Sequence, residues 1–389
     1  MKHFFLLLHF FIFIAIESFS QTDFKITTGP YLQNVTENEA TIVWQTSGDA
    51  MSWVELAPDD STHFFRVERP QYFQTHIGKK VVTRNHTIRL KKLQPGTAYR
   101  YRIYSHEVLG GTGSSTQYGK IAASKIFKST PLTFRTLDTD KQAFSFLMVN
   151  DIHENNELLT NLLKNVKTEK VDFVVYNGDM VHDMRSPEKI PTGFLNKSVE
   201  LFASEVPFYM VRGNHETRGL HAIDYMHYFP SSTGQPYYTI HHGNTFMIVL
   251  DSGEDKPDSN IEYGGLAAFD EFRAEQLVWL KDVVKSDAFR AAKNRIVFVH
   301  MPPMPDHWHG PWMVNQLYVP VLNEAGVDLM LCGHQHRHYY HEMNYGGCRF
   351  PVLVNANKNK VRIDAYGKGL KIKVLNEQDK PEFEVKLIK

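Results

Sequence analysis

Val174-Val175-Tyr176-Asn177-Gly178-Asp179-Met180 is the stretch around which the rest of the chain is organised. It reads as a short, apolar, β-rich strand that stops at a glycine and an aspartate. In open α/β sheets the ligand crevice lies just beyond the carboxyl ends of the strands, so such a strand delivers Asp179 to a place where a metal ligand is useful. Gly178 lets the backbone approach whatever sits there. Gly-Asp also opens ordinary turns, and the stretch gains meaning because other strands end in the same way.

Four more do so. Phe144–Asn150 runs into Asp151-Ile152-His153, and Val206–Val211 into Gly213-Asn214-His215-Glu216. Arg295–Val299 is capped by His300, and Val327–Cys332 ends in Gly333-His334-Gln335-His336. A helical stretch with Leu158, Leu159, Leu162, Leu163 and Val166 on one face follows the first strand, and another lies near Phe269–Lys285. Tyr237–His241 and Thr245–Leu250 read as antiparallel strands around Gly243-Asn244. Strands alternating with helices after Asp138 argue for a layered α/β domain over residues 138–389. The alternating strands beyond Arg349 are expected to complete a second sheet of it.

One histidine at a strand end is ordinarily structural. Five strand ends of one sheet, all carrying nitrogen or oxygen donors and converging on one edge, point beyond a structural role. Carboxylate, amide and imidazole together suit borderline divalent or ferric ions and not a thiolate site. There are more donors than one tetrahedral ion takes, which implies two ions.

Upstream, over residues 21–137, the pattern is of short strands with period-2 alternation, such as Ala40–Gln45, Ser52–Leu56, His86–Leu90 and Leu132–Arg135, with turn residues between them. That describes an all-β sandwich of the immunoglobulin or fibronectin III kind. Leu93-Gln94-Pro95-Gly96-Thr97-Ala98-Tyr99 resembles the turn before a late strand of fibronectin type III domains, where the tyrosine hydroxyl bonds back to the upstream backbone. Leu109-Gly110-Gly111-Thr112-Gly113 neither follows a parallel strand nor opens a helix, so it reads as a hairpin loop rather than a dinucleotide loop.

The 389 residues are 42% hydrophobic and 22% charged, an ordinary globular composition with a large core. Lys+Arg and Asp+Glu are both 43, so nothing in the charge argues for nucleic acid or a membrane surface as partner. The 20 histidines carry more information, given the use of imidazole as ligand and acid/base group. Residues 1–20 have Lys2 and His3 before an apolar run from Phe4 to Ile16, then Ser18-Phe19-Ser20, which is a secretory signal peptide pattern. The run is shorter than the ~20 residues of a membrane span. The mature protein is therefore expected to be secreted or periplasmic after cleavage near Ser20. Cys332 and Cys348 fit either a bridge or buried free thiols.

The ordered set Asp151-Ile152-His153, Gly178-Asp179, Gly213-Asn214-His215-Glu216, His300 and Gly333-His334-Gln335-His336 resembles the calcineurin-like metallophosphoesterase signature. The sandwich before it resembles the N-terminal domain of purple acid phosphatases. The resemblance implies a four-layer αββα sandwich and an enzyme with two divalent or trivalent ions, of iron, zinc or manganese. It further implies that Asp151, His153 and His336 hold the first ion, that Asn214, His300 and His334 hold the second, and that Asp179 bridges them. A small phosphorylated substrate would be hydrolysed by in-line attack of metal-bound hydroxide, a phosphomonoester first and a phosphodiester of nucleotides or phospholipid head groups as the alternative. His215 would hydrogen-bond a phosphate oxygen or protonate the leaving group, making His215 and Asp179 the catalytic residues. Glu216 would fix that imidazole or simply favour a helix N-terminus.

Two departures matter. Purple acid phosphatases carry glycine where this chain has His153, and a metal-binding tyrosine where it has His182. Without tyrosinate the enzyme should not be purple. His182 is read as facing substrate or as structural. In Met304–Gly310, His309 is read as touching phosphate, His307 less so, while Trp308 and Trp312 either stack an aromatic leaving group or anchor the loop. Arg212 and Arg218 read as surface residues. A third possibility, an inert exported binding protein, predicts a missing ligand, and none is missing.

Overall fold

The computed structural model describes residues 23–124, 130–305 and 308–388, so the expected signal peptide and His307 lie outside the described residues. The N-terminal sandwich consists of β1 (Ile26–Gln33), β2 (Glu39–Pro58), β3 (Gln71–Phe73), β4 (Val82–Lys91), β5 (Ala98–Gly110), β6 (Gln117–Ala123) and β7 (Leu132–Arg135). Alternation sends Ile42, Trp44, Val54, Leu56, Ile88, Leu90, Tyr101 and Ile103 into one core. The stretches Ala40–Gln45 and Ser52–Leu56 are two halves of one strand, β2, with an irregularity between Gln45 and Ala50. The first half pairs with β1 and β4, the second with β3 and β5, and β4 follows the strand past the irregularity as far as Met51. The hydroxyl of Tyr99 accepts the Gln94 N–H at 2.9 Å, which is the back-bond expected of the Leu93–Tyr99 turn.

Twelve further strands follow: β8 (Ala143–Val149), β9 (Phe173–Asn177), β10 (Phe208–Val211), β11 (Tyr238–His242), β12 (Thr245–Leu250), β13 (Asn294–Val299), β14 (Leu329–Cys332), β15 (Tyr339–His341), β16 (Val352–Val354), β17 (Asn359–Tyr366), β18 (Gly369–Asn376) and β19 (Pro381–Ile388). They form two six-stranded sheets, ordered β10-β9-β8-β17-β18-β19 and β11-β12-β13-β14-β16-β15. Within the first, β8, β9 and β10 are parallel; within the second, β12, β13, β14 and β16 are.

Period 2 sorts the side chains into layers. Phe173 and Val175 point between the sheets and join Phe146, Met148, Met247, Phe298 and Leu331. Val174 and Tyr176 point the other way, with Leu147 and Val149, beneath helix α1 (Asn156–Leu163) and its Leu158, Leu159 and Leu162. On the far side Val297 and Val299 lie beneath α2 (Phe269–Val283), α3 (His309–Leu317) and α4 (Val319–Ala325), through Leu280, Val314 and Leu322. The stack is αββα. Strands buried on both faces read as unbroken apolar runs, which is why these do.

Two expectations need correction. The five donor-bearing ends belong to two sheets and not to one: β8, β9 and β10 supply three, β13 and β14 supply two. The strands from Asn359 onward do not complete a separate sheet; β17 pairs antiparallel with β8, so they extend the sheet that carries Asp151 and Asp179. Only β16 joins the other sheet, beside β14. Apolar alternation shows that a strand has a buried face but not which neighbour it pairs with. Cys332 and Cys348 are both buried and unbridged.

The sandwich is fastened to the layers by buried bonds. Tyr31 and Gln33 of β1 donate to the carbonyls of Tyr228 and Phe208 at 2.9 and 3.0 Å, and Tyr209 donates to the carbonyl of Val35 at 2.6 Å. Tyr101 donates to Ser204 C=O at 2.6 Å. Removing one such donor strands a buried carbonyl. Tyr209→Phe should therefore lower the unfolding free energy by about 1–2 kcal/mol in urea titration; a change indistinguishable from zero would show that this seam contributes nothing.

Candidate metal centre

Past β8 and β9 the chain keeps its parallel register as two loops side by side. Asp151 N–H donates to Gly178 C=O at 2.9 Å, His153 N–H to Asp179 C=O at 3.0 Å, and Glu154 N–H to Met180 C=O at 2.9 Å. Asp151, His153, Asp179, His334 and His336 all have left-handed backbone, with φ of 54°, 48°, 55°, 69° and 51°. That conformation costs a non-glycine residue roughly 1–3 kcal/mol and gathers at functional sites. Close approach explains the glycines: a Cβ on Gly178 would enter the His300 ring, and one on Gly213 would enter the Asp179 carboxylate.

The loops bring the donors together. Asp151 Oδ1 lies 3.1 Å from His336 Nε2 and 3.9 Å from both His153 Nε2 and His300 Nε2. Asp179 Oδ2 lies 3.0 Å from His300 Nε2 and 3.9 Å from His215 Nε2. The opposite oxygens are tied back, Asp151 Oδ2 by Asn150 Nδ2 at 2.6 Å and His334 N–H at 2.9 Å, and Asp179 Oδ1 by His215 N–H at 2.9 Å. His300 Nδ1 donates to Asn177 C=O at 2.7 Å, which turns its Nε2 into the crevice. Asn214 Oδ1 pairs with His334 Nδ1 at 3.1 Å. Two donor groups result, Asp151 with His153 and His336, and Asp179 with His300 and His334, each with its ligand atoms within 4.8 Å of one another.

These residues fit a pair of cations. Asp151 Oδ1 and His300 Nε2 are buried and make no aligned hydrogen bond, even though His300 Nε2 is close to Asp179. Burial disfavours a proton on His300, yet Asp179, Asp151 and the Asn177 carbonyl outweigh it and hold the imidazolium up to about 10. Burial drives His153 and His334 down to about 4, the neutral form that ligates. Two buried carboxylates therefore face imidazoles that cannot all be cationic, which is the imbalance that metal ions correct.

Glu216 does something the sequence does not reveal. Its carboxylate does not reach the His215 ring; it accepts the N–H groups of Asp179 at 2.9 Å, Met180 at 2.6 Å, Val181 at 3.3 Å and Gly213 at 2.9 Å. Burial and the neighbouring Asp179 push this carboxyl up to about 7, against the pull of His300 and those amides. The His215 ring is oriented instead by the backbone of His182, to whose carbonyl Nδ1 donates at 2.7 Å. The His182 ring is exposed and stacks on His153 at 5.0 Å. His153, His182 and His215 form a third group of mutually close donors.

The crevice, about 790 Å³, is lined by His153, Asp179, His182, Asn214, His215 and His334 on one side and by Arg218, Asp255, Lys256 and Trp308 on another. Arg218 is no free surface residue. Its Nε and Nη2 meet the two oxygens of buried Glu254 at 2.5 and 3.2 Å, while Nη1 stands 3.2 Å from His215 Nε2. Arg212 pairs with Asp251 at 2.6 Å. His309, at the start of α3, is not among the residues lining the crevice; its Nε2 binds Asp270 of α2 at 2.8 Å. The missed residues had a signal: β12 ends in Asp251-Ser252-Gly253-Glu254-Asp255, a polar run after an apolar strand like those of the other ends.

A double sheet with a cation-fitting crevice at the ends of its parallel strands is a metallophosphoesterase arrangement. It belongs to the calcineurin-like phosphoesterase family, whose model matches residues 144–338, and a model for the N-terminal domain of purple acid phosphatases matches residues 29–136. The serine/threonine-protein phosphatase CPPED1 of Bos taurus is 25% identical over 177 residues, 43% of this chain and 54% of that protein. Its Rattus norvegicus counterpart is 23% identical over the same length. The chain thus spans about half the length of these relatives. Among solved structures it is similar to Yfce, a phosphoesterase from E. coli, with a TM-score of 0.31, 12% identity, and coverage of 62% of this chain and 98% of that one.

Because one carboxylate closes four amides, Glu216→Gln should destabilise the fold by about 2–4 kcal/mol, read by chemical denaturation. A loss no larger than that of a surface substitution would show that the four bonds do not hold the Asp179 loop.

Proposed function

We propose that this chain is an exported, binuclear phosphomonoesterase. The observation that carries the reading is the convergence of Asp151 and Asp179 with His153, His300, His334 and His336 in one crevice, with buried carboxylate and imidazole atoms left unbonded. Asp151, His153 and His336 would hold one ion, and Asn214, His300 and His334 the other, with Asp179 reaching both. Bound there, two cations supply Lewis acidity toward phosphoryl oxygens and acidify water. The chain's own residues do the rest. Glu216 fixes the Asp179 loop by its four amides, His182 orients His215, and Arg218, held by Glu254, presents a guanidinium beside that imidazole. Arg218 Nη1 and, when its ring is protonated, His215 Nε2 would give a phosphoryl group two donors side by side. The name of the Bos taurus relative, a serine/threonine-protein phosphatase, favours a monoester substrate. Export rests on the residue pattern of positions 1–20. The donor set suits iron, zinc or manganese.

Purified protein is expected to carry about two ions per chain by elemental analysis, and to show no visible iron–tyrosinate band, since His182 stands where tyrosine would be. Asp179→Asn should abolish hydrolysis of an aryl phosphate while its circular dichroism stays native; wild-type turnover in that variant would remove the bridging role. His215→Ala should lower turnover by roughly 10²-fold or more with metal content retained. Equal loss of both would make His215 a ligand.

A further inference from the structure

Trp308 is the exposed large aromatic side chain on the crevice wall, with 56% of its surface open. A tryptophan left this open beside a polar site keeps much of its apolar surface uncovered. Its position is defined on two sides. The ring stands edge-on to the His334 imidazole, centroids 6.3 Å apart at 77°, and the Lys256 ammonium lies 5.8 Å from its centroid. Lys256 is itself held by Glu262 at 2.7 Å and by Asp255 at 3.6 Å, and its amide N–H donates to Tyr263 at 3.1 Å. Pro311, from the first turn of α3, lines the same crevice.

We infer that Trp308 and Lys256 form a leaving-group subsite for phosphate monoesters of aromatic alcohols. This rests on the phosphomonoesterase reading and names its substrate class. The reach decides which aromatic. Trp308 adjoins His334, a member of the Asp179–His300 group, so a ring stacked on the indole sits beside the place where the phosphoryl group is handled. A ring borne directly on the ester oxygen lies nearest the phosphoryl group and is the class assigned to the subsite. Flat faces also suit the indole better than an aliphatic chain, because ring pairs gain beyond their buried area. In the reaction water adds its oxygen to phosphorus, the bond from phosphorus to the aryl oxygen breaks, and that oxygen leaves with the electron pair. It ends as a phenol after taking up a proton, beside inorganic phosphate. Lys256, though paired with Glu262 and Asp255, adds a positive charge to the wall against which that leaving group would rest.

The test compares phenyl phosphate with O-phosphoserine in the wild type, Trp308→Ala and Trp308→Phe, by steady-state kinetics. Titration calorimetry of phenylphosphonate against methylphosphonate runs alongside. In Trp308→Ala the ratio of KM for phenyl phosphate to KM for O-phosphoserine should rise about three- to tenfold, the size of one stacking contact. Trp308→Phe should restore most of it. Calorimetry should show phenylphosphonate binding tighter than methylphosphonate in the wild type, with the advantage lost in Trp308→Ala. An unchanged KM ratio, or equal affinity of the two phosphonates in the wild type, overturns the subsite. Failure of the wild type to hydrolyse either ester would sink the phosphatase reading, and calorimetry would then decide the subsite by itself.

Discussion

Glu216 closes the crevice from behind, and the site depends on that closure. Three consecutive amides, from Asp179 to Val181, and the amide of Gly213 converge on one buried carboxylate. Such a convergence forces the chain after β9 to double back at the point where Asp179 is displayed. It also brings Gly213 so near that no side chain fits there. Left-handed backbone at Asp151, Asp179 and His334 follows from the same need, because an extended strand must turn sharply to present its last carboxylate or imidazole outward. Local strain is met by buried hydrogen bonds a few ångströms away.

The electrostatics follow from that geometry. Asp151 and Asp179 are almost fully buried. Their free oxygens face imidazoles, and those imidazoles are themselves turned by backbone carbonyls, as His300 is by Asn177 and His215 by His182. Carbonyl-oriented rings around buried carboxylates form a site with its donors already aimed before any ion arrives. Beside them, the Arg218–Glu254 pair keeps a guanidinium fixed on the crevice wall.

Much of this is legible in the sequence, and the reasons differ by element. Strand ends at Asp179 or His300 can be read because an apolar β-rich run seldom stops at a polar donor unless that donor has work to do at the sheet edge. The sandwich can be read from alternation, and the Tyr99 back-bond from its turn. Partnering cannot: nothing in the runs before Asp151 and His300 says that they lie in different sheets, because strands buried on both faces look alike. The last three strands escape correct placement for the same reason. His309 escapes it because its partner, Asp270, sits in another helix 39 residues away. Proximity in the chain points Glu216 at the adjacent ring, although a side chain at a helix start more readily meets backbone amides.

The division of the donors between two sheets has a mechanical consequence. Asp151, Asp179 and Asn214 hang from one sheet, His300 and His334 from the other, and the apolar layer between the sheets ends at the crevice. An ion seated among them is a rivet through the open edge of that layer. Its bonds are short-ranged, so separating the sheets by even a small distance breaks them all together. Such a brittle fastening acts on the height of the barrier to opening more than on the depth of the folded state. Resistance to proteolysis at that edge would then follow metal supply, since without an ion the two halves meet at the crevice through the apolar layer and a few hydrogen bonds, such as those of His300 to Asn177 and of His334 to Asp151.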